Sequence, residues 1–296
     1  MNIEQGAEFI TQQIRSRNPF FVGKLGTSEL DVLLFYTRYR QSEHKAAYPE
    51  NIKTNIARNG GLFPGTDKAL DAWAVHMLTE VLPAGAGFAI WNPMIGNIEK
   101  AILNTFAPRA KQFPLRSLEP YYINVLEDRW TYNLVKHAKV AVVSPFYKSI
   151  ENQWRKRDAI WGDNSIWGHI PPTIIPVRAG YSPYLSTTTG LWSTAIINDG
   201  WKAAVADIVR QVKETGALFA IVGCGALSLP ICYALKKEYI ASIHTGGATQ
   251  ILFGIKGRRW LNHGTISEFF NEAWEFPYPE EIPTRASDVE GGCYWS

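Results

Sequence analysis

Cysteine and histidine are scarce in this chain of 296 residues, which has three Cys and six His. Cys224, Cys232 and Cys293 lack metal-ligand spacing, and none of the His and Cys falls into a recognisable zinc or catalytic-triad arrangement. A large charge of one sign is also missing. The net charge of +3 and isoelectric point near 8.6 give no electrostatic footprint of a dedicated nucleic-acid binder. The opening MNIEQGAEF has neither the basic nor the apolar region of a secretion signal, so a reducing, cytoplasmic setting is the expectation. Long apolar runs are lacking as well: the uncharged stretch from Ala217 to Leu235 is broken by Gly223, Gly225 and Pro230, which argues against a membrane span. There is no internal repeat and no low-complexity linker to mark a domain boundary.

What the chain does have is apolar content of 46%, enough for a sizeable core, and 13% aromatic residues with 11 Trp. Trp faces stack on sugar rings, yet core filling is their ordinary use. The expectation is one α/β domain over residues 1–296, with an irregular tail over residues 277–296 that wraps the surface.

Residues Leu218 to Trp260 read LFAIVGCGALSLPICYALKKEYIASIHTGGATQILFGIKGRRW. Two apolar strand candidates each run into a glycine turn, with an amphipathic helix between them that starts near Ser228 as N-cap and ends at Lys236 and Lys237. This is a βαβ unit, and its two loops leave at one edge of a parallel sheet, where helix N-termini present backbone N–H groups to anions. Further strands are expected at Phe20 to Gly23, Gly87 to Trp91, Val140 to Val143 and Thr173 to Val177, besides Leu218 to Val222 and Ile240 to His244. Helical spacing of apolar residues marks Ile3 to Ile14, Leu30 to Tyr39, Lys68 to Leu82 and Ala203 to Glu214. The alternation predicts a Rossmann-like, mostly parallel sheet with helices on both faces. The strand ends carry polar or Gly/Pro turns that should converge on one rim. Ser182 to Gly200, rich in Ser, Thr and Gly, is the best candidate for a mobile loop or lid.

Two readings stand for most residues at that rim. In FFVGKLGTSELDVLL, Thr27 or Ser28 is a normal helix cap and Glu29 a normal first-turn acid; alternatively Glu29 is a general base or metal ligand and Lys24 a counter-charge for phosphate. Gly223-Cys224-Gly225 is a phosphate cradle, a methyltransferase cofactor loop or a ligand-free tight turn. The methyltransferase reading is disfavoured by the late position of the motif and the lack of an acidic residue before it. His244 is a donor to a diphosphate, a base or a buried structural histidine. The basic runs at Lys256, Arg258, Arg259 and at Arg155 to Arg157 face phosphates or, more ordinarily, solvent. Asn92, Ser144, Ser149, Gln153 and Gln250 suit hydrogen bonding to a hydroxyl-rich ligand, or simple capping.

The early strand-turn-helix with its rim glutamate, the VSPF strand end, the VGCG turn and the HTGG turn, in that order along most of the chain, together resemble the GT-D type of glycosyltransferase. That resemblance implies a sugar-nucleotide donor, UDP- or GDP-type, and a glycan or other hydroxyl acceptor, with transfer that inverts the anomeric carbon. The family's Asp-x-Glu motif contacts the donor and a divalent cation, manganese or magnesium, and its match here is Thr27-Ser28-Glu29. Glu29 is retained, whereas Thr27 stands in place of the aspartate, and a hydroxyl is a weaker ligand for a hard cation than a carboxylate. Lys24 matches the family's arginine. The family's donor turn corresponds to Gly223, Cys224 and Gly225 and the following strand end to His244, Thr245, Gly246 and Gly247, with Gly26, Thr27 and Ala226 expected beside them at the donor diphosphate. A cis proline near the site, Pro93 or Pro145, is also implied, and a homo-oligomer is compatible with the aromatic content. A non-catalytic nucleotide- or glycan-binding protein of the same fold is the competing expectation, and an S-adenosylmethionine-dependent methyltransferase a weaker one.

Overall fold

The computed structural model describes residues 1–41, 45–92, 95–136 and 139–295. Seven strands, β1 (Phe21–Lys24), β2 (Gly87–Ile90), β3 (Lys111–Pro114), β4 (Lys139–Ser144), β5 (Thr173–Arg178), β6 (Phe219–Val222) and β7 (Ala241–His244), form one sheet in the order β3-β2-β1-β7-β6-β4-β5. Every pairing is parallel. The inner strands are short apolar runs because both sides of the sheet are covered, and a parallel sheet exposes neither face. Alternation along β4 divides its side chains: Ala141 and Val143 enter the cluster that holds Phe21, Phe88 and Val222, while Val140 and Val142 enter the one that holds Val22, Phe219 and Ile243.

From β1 the chain moves outward through β2 to β3, then crosses to the other half of the sheet. The two directions part at the β1/β7 pair, where Val22 lies opposite Ile243. Parallel sheets of this kind open a crevice at such a switch point, outside the carboxyl ends of the strands. Here those ends are Lys24 and His244.

The helices follow from capping and periodicity. In α1 (Ile3–Ser16) the Asn2 side chain accepts the Gln5 N–H while Gln5 reaches back to Asn2, and Ile10 and Ile14 are buried. Then come α2 (Thr27–Tyr39), α3 (Glu50–Arg58) and α4 (Asp67–His76). The segment expected as one helix over Lys68 to Leu82 is α4 continued by a π-helical turn, Met77–Val81. Helices Gly96–Phe106, Tyr147–Arg155, Trp201–Thr215 and Ser228–Lys237 complete the main cover of the sheet. Among the described residues no helix is long and apolar enough to cross a membrane.

Several local expectations change. β3 went unrecognised because its Lys111-Gln112 start is polar and it is an edge strand. Ser228 is not the N-cap of its helix but its first residue, and its hydroxyl accepts the Cys224 N–H at 3.0 Å. The start of the segment Ser182 to Gly200 is tied to its surroundings: Ser182 Oγ donates to Ala57 O at 2.9 Å, and Thr284 Oγ1 accepts the Thr187 N–H at 2.8 Å. Indoles are mostly structural, as Trp73 and Trp130 are fully buried and donate to Ala226 O and Leu118 O. The tail past Pro277 adds no layer. Its Glu281 carboxylate instead accepts the Lys148 N–H at 2.7 Å and the Ser149 N–H, covering the start of the helix Tyr147–Arg155.

Gly225 has φ +59°, and a Cβ there would lie 2.3 Å from Gly60 O, whose carbonyl accepts the Ala226 N–H at 2.7 Å. Gly225→Ala is therefore expected to destabilise the fold by at least about 2 kcal/mol in urea denaturation, from left-handed strain plus overlap with backbone. Gly96→Ala, where a Cβ meets nothing within 4 Å, is the control, expected to change stability by less than about 0.5 kcal/mol.

Candidate functional site

At the carboxyl ends of β1, β4, β6 and β7 lies a cavity of about 560 Å³. Lys24 and the start of α2 form one side of it, Ser144 and the Gly223 to Gly225 turn another, and the segment from His244 to Gln250 its floor. The rim is completed by Arg58, Arg116, Glu119 and Arg259, and by Val289, Glu290, Tyr294 and Trp295 from the C-terminal segment.

Glu29 is the third residue of α2, whose N-cap, Gly26, has no side chain to offer. Its carboxylate folds back over that position, so that a Cβ on Gly26 would lie 2.2 Å from Glu29 Oε2. The glycine leaves room for the glutamate to fold over the helix start, and because α2 begins at Thr27 neither Thr27 nor Ser28 is the cap. Burial pushes the Glu29 carboxyl above its ordinary pKa, and the nearby Lys24 charge partly offsets the rise.

Lys24 ends β1 with its ammonium deep in the wall, 4.8 Å from the ring centroid of Trp91. The indole is fixed by donation from Nε1 to Leu25 O at 2.6 Å. Burial lowers the Lys24 pKa, Glu29 opposes that effect, and Arg259 adds to it. Among the described residues Lys24 makes no ion pair.

The glycines of the two turns are each required by a close neighbour. A Cβ on Gly223 would lie 2.3 Å from Thr249 Oγ1, and one on Gly247 2.9 Å from the Tyr294 ring. Gly246, at φ +58°, lets Lys24 Cε pass 2.9 Å from where a Cβ would sit. Close packing thus explains the glycine pattern, and the same packing brings Lys24 across the β7 turn.

His244 is buried at the end of β7, with Nδ1 3.0 Å from Val222 O. Burial first, and the Lys24 charge second, lower its pKa to about 3. The ring is therefore neutral and a poor proton acceptor at neutral pH. Its Nδ1 lies 3.0 Å from Val222 O and 3.3 Å from the Gly246 nitrogen, one contact calling for a proton on that ring nitrogen and the other for a lone pair. Burial pushes the Cys224 thiol up to about 12, which leaves no nucleophilic thiolate.

Of the polar residues expected to touch a ligand, Ser144 and Gln250 line the cavity. Ser144 Oγ accepts the Phe146 N–H at 3.1 Å, and Gln250 Nε2 donates to Tyr294 O at 2.8 Å. Asn92 sits behind the wall, where its Nδ2 donates to Thr27 Oγ1 at 2.8 Å. Ser149 and Gln153 face the C-terminal region: Ser149 Oγ donates to Glu281, and Gln153 Nε2 donates to Gly254 O and Ala273 O, each at 2.9 Å. Ala226 is buried behind the turn, bonded to Gly60. The cis peptide bond is Phe63-Pro64, not the bond to Pro145; Pro93 lies outside the described residues.

The basic run Arg155 to Arg157 is a surface feature, with Arg155 paired to Glu151. The other run divides. Arg258 donates to Gly291 O at 3.1 Å, whereas Arg259 lines the cavity. Sequence reasoning also passed over Arg116 and Glu119, an ion pair at 2.5 Å in which burial raises the Glu119 pKa despite Arg116. Their only signal was an i,i+3 charge pair in an aperiodic stretch.

The donor set around Thr27-Ser28-Glu29 does not fit a divalent cation. Thr27 Oγ1 already accepts from Asn92, Glu29 is the one carboxylate of the motif, and a lysine ammonium stands close by. Among the described residues no group of three His, Cys, Asp or Glu side chains is placed to hold a metal. Compared with known proteins, the chain matches no family model, no curated protein and no solved structure.

The His244 shift sets a pH dependence. The folded ring resists protonation down to about pH 3 while the unfolded ring titrates near 6.5, so the unfolded state binds more protons in that window and stability is lost as pH falls through it. Wild-type stability is expected to carry a component that declines by up to about 1.4 kcal/mol per pH unit below 6.5. Urea titrations at a series of pH values should show that component missing in His244→Gln.

Proposed function

We propose that this chain is a glycosyltransferase that moves a sugar from a nucleoside-diphosphate donor to a hydroxyl acceptor. The observation that carries the reading is the convergence, in one cavity at the strand switch point, of Lys24, Glu29 and the two glycine turns from distant parts of the sequence. A cavity of this size lies within the span of about 300–1,000 Å³ typical of small-ligand sites. The N–H groups of Thr27 and Ser28, at the first two positions of α2, have no intrahelical acceptor and carry the positive end of the helix dipole. The resemblance to GT-D enzymes in the order of the motifs supports the same reading.

In the reaction, the acceptor oxygen attacks the anomeric carbon on the face opposite the diphosphate. Its bond to that carbon forms as the bond to the diphosphate oxygen breaks, and this single displacement inverts the configuration. The acceptor proton passes to Glu29, whose raised pKa makes it a stronger base than an exposed glutamate. The electron pair leaves with the diphosphate, where Lys24 and the N–H groups at the start of α2 oppose the developing charge. No step passes through a metal ion.

Glu29→Gln keeps the shape of the side chain over Gly26 and removes the base, so it is expected to lower transfer at least about a hundredfold while circular dichroism and Tm stay near wild type. Transfer at the wild-type rate in a folded variant rejects the assignment of Glu29. A second reading, nucleotide or glycan binding without transfer, is favoured by one observation: the Glu29 carboxylate is folded onto its own helix start. Tight UDP or GDP binding without product from any UDP- or GDP-sugar would establish it. Because the donor set does not fit a dication, calorimetry is expected to give the same UDP or GDP affinity in EDTA as in manganese; a requirement for manganese would show that Glu29 and Thr27 rearrange to hold it.

A further inference from the structure

Arg259 stands on the far side of the Gly246-Gly247 turn from Lys24. Its guanidinium lies 4.8 Å from the ring centroid of Tyr294 and 6.0 Å from that of Trp260. Those two rings pack directly on Gly247: a Cβ there would be 2.9 Å from Tyr294 and 3.5 Å from Trp260. On the near side, a Cβ on Gly246 would be 3.2 Å from Lys24 Nζ. Two cations thus flank one glycine turn in one cavity, close enough that Arg259 disfavours the charge on Lys24. Lys24 has no carboxylate at ion-pair distance among the described residues. The carboxylate on Arg259 is Glu290, in the C-terminal segment.

Glu290 is an unusual residue to find there. Its backbone has φ +46°, a left-handed conformation that a glutamate rarely adopts, and Gly291 and Gly292 follow at +69° and +83°. The pair is open to water, with the Arg259 and Glu290 side chains 37% and 49% exposed, so separating it is cheap. Among the described residues the Glu290 carboxylate also takes a weak contact from Cys293 Sγ at 3.4 Å.

We propose that Lys24 and Arg259 form a two-armed clamp for a diphosphate across the Gly246-Gly247 turn, and that Glu290 is a resident counter-ion which the diphosphate displaces from Arg259. The inference deepens the nucleotide-sugar reading, but the clamp itself recognises only the anionic group. A guanidinium presents paired N–H donors to phosphate oxygens, and Lys24 adds a point charge from the other side. An incoming anion relieves the repulsion between the two cations. It also competes with Glu290 for the Arg259 guanidinium.

Isothermal titration of the full chain with inorganic diphosphate, and separately with UDP and GDP, tests this. Arg259→Gln is expected to weaken diphosphate binding at least about tenfold, and Glu290→Gln to tighten it about threefold or more. The double variant should match Arg259→Gln, because Glu290 acts only through Arg259. An unchanged or weakened affinity in Glu290→Gln, or wild-type affinity in Arg259→Gln, overturns the clamp. So does a wild-type protein that binds no diphosphate. If inorganic diphosphate obeys these expectations while no nucleotide binds, the clamp stands and the nucleotide-sugar reading falls.

Discussion

A lysine ammonium held at the centre of a parallel sheet, away from any carboxylate at ion-pair distance among the described residues, is the constraint around which the site is organised. Desolvation disfavours that charge, and the fold offsets it only in part, through the Trp91 face and the more distant Glu29. Lys24 is placed there by topology. β1 and β7 are the two strands at which the chain changes direction across the sheet, and the crevice between their ends is open because no connection crosses it. The unfavourable environment of Lys24, the depressed basicity of His244 and the raised pKa of Glu29 share one origin: titratable groups packed at one strand edge under a covering wall. Groups perturbed together in a cleft are the usual mark of a working site.

Much of the covering wall comes from three stretches: Asn59 to Gly61, Tyr181 to Leu185, and the C-terminal residues from Val289. The first is locked to the Gly225 turn through Gly60 O, and the second is tied back to Ala57 through Ser182. The third is held by main-chain bonds, from Arg258 N–H to Trp295 O at 3.1 Å and from Arg259 N–H to Cys293 O at 3.0 Å, and by side chains, with Gln250 Nε2 donating to Tyr294 O and Arg258 to Gly291 O. The first wall is therefore fastened to one of the sheet's own loops and the second to α3, while the third is fastened to the clamp arginine itself and to its neighbour Arg258.

Period-2 and period-3.6 patterns made the strands β1, β2, β4, β5, β6 and β7 legible within a residue or two, because buried strands are written as short apolar runs between turns. β3 was not legible: an edge strand covered on few sides has no need of an apolar run, and Lys111-Gln112-Phe113-Pro114 carries no alternation to detect. The glycine turns at 223–225 and 245–247 and the Lys24 to Glu29 segment were legible as rim features, since sequence order alone puts strand ends of a parallel sheet on one side. Ser149 and Gln153 were misplaced. Their position after β4 is right, but which side of a helix faces the crevice depends on how the tail docks, and Glu281 is 132 residues away from Ser149. Arg259 was hidden for the same reason. A basic residue in a run beside Arg258 has no local mark to distinguish the one that turns inward.

That third wall also belongs to the core. All seven strands are complete by His244, whereas Val289, Glu290, Tyr294 and Trp295 follow them in the chain. A chain that extends only as far as Arg285 contains the whole sheet but lacks Val289 and Trp295 from the core layer that holds Val22 and Ile243, its ligand chamber is open on one side, and Arg259 has no counter-ion. The residues that close the chamber therefore also finish one of the two core layers.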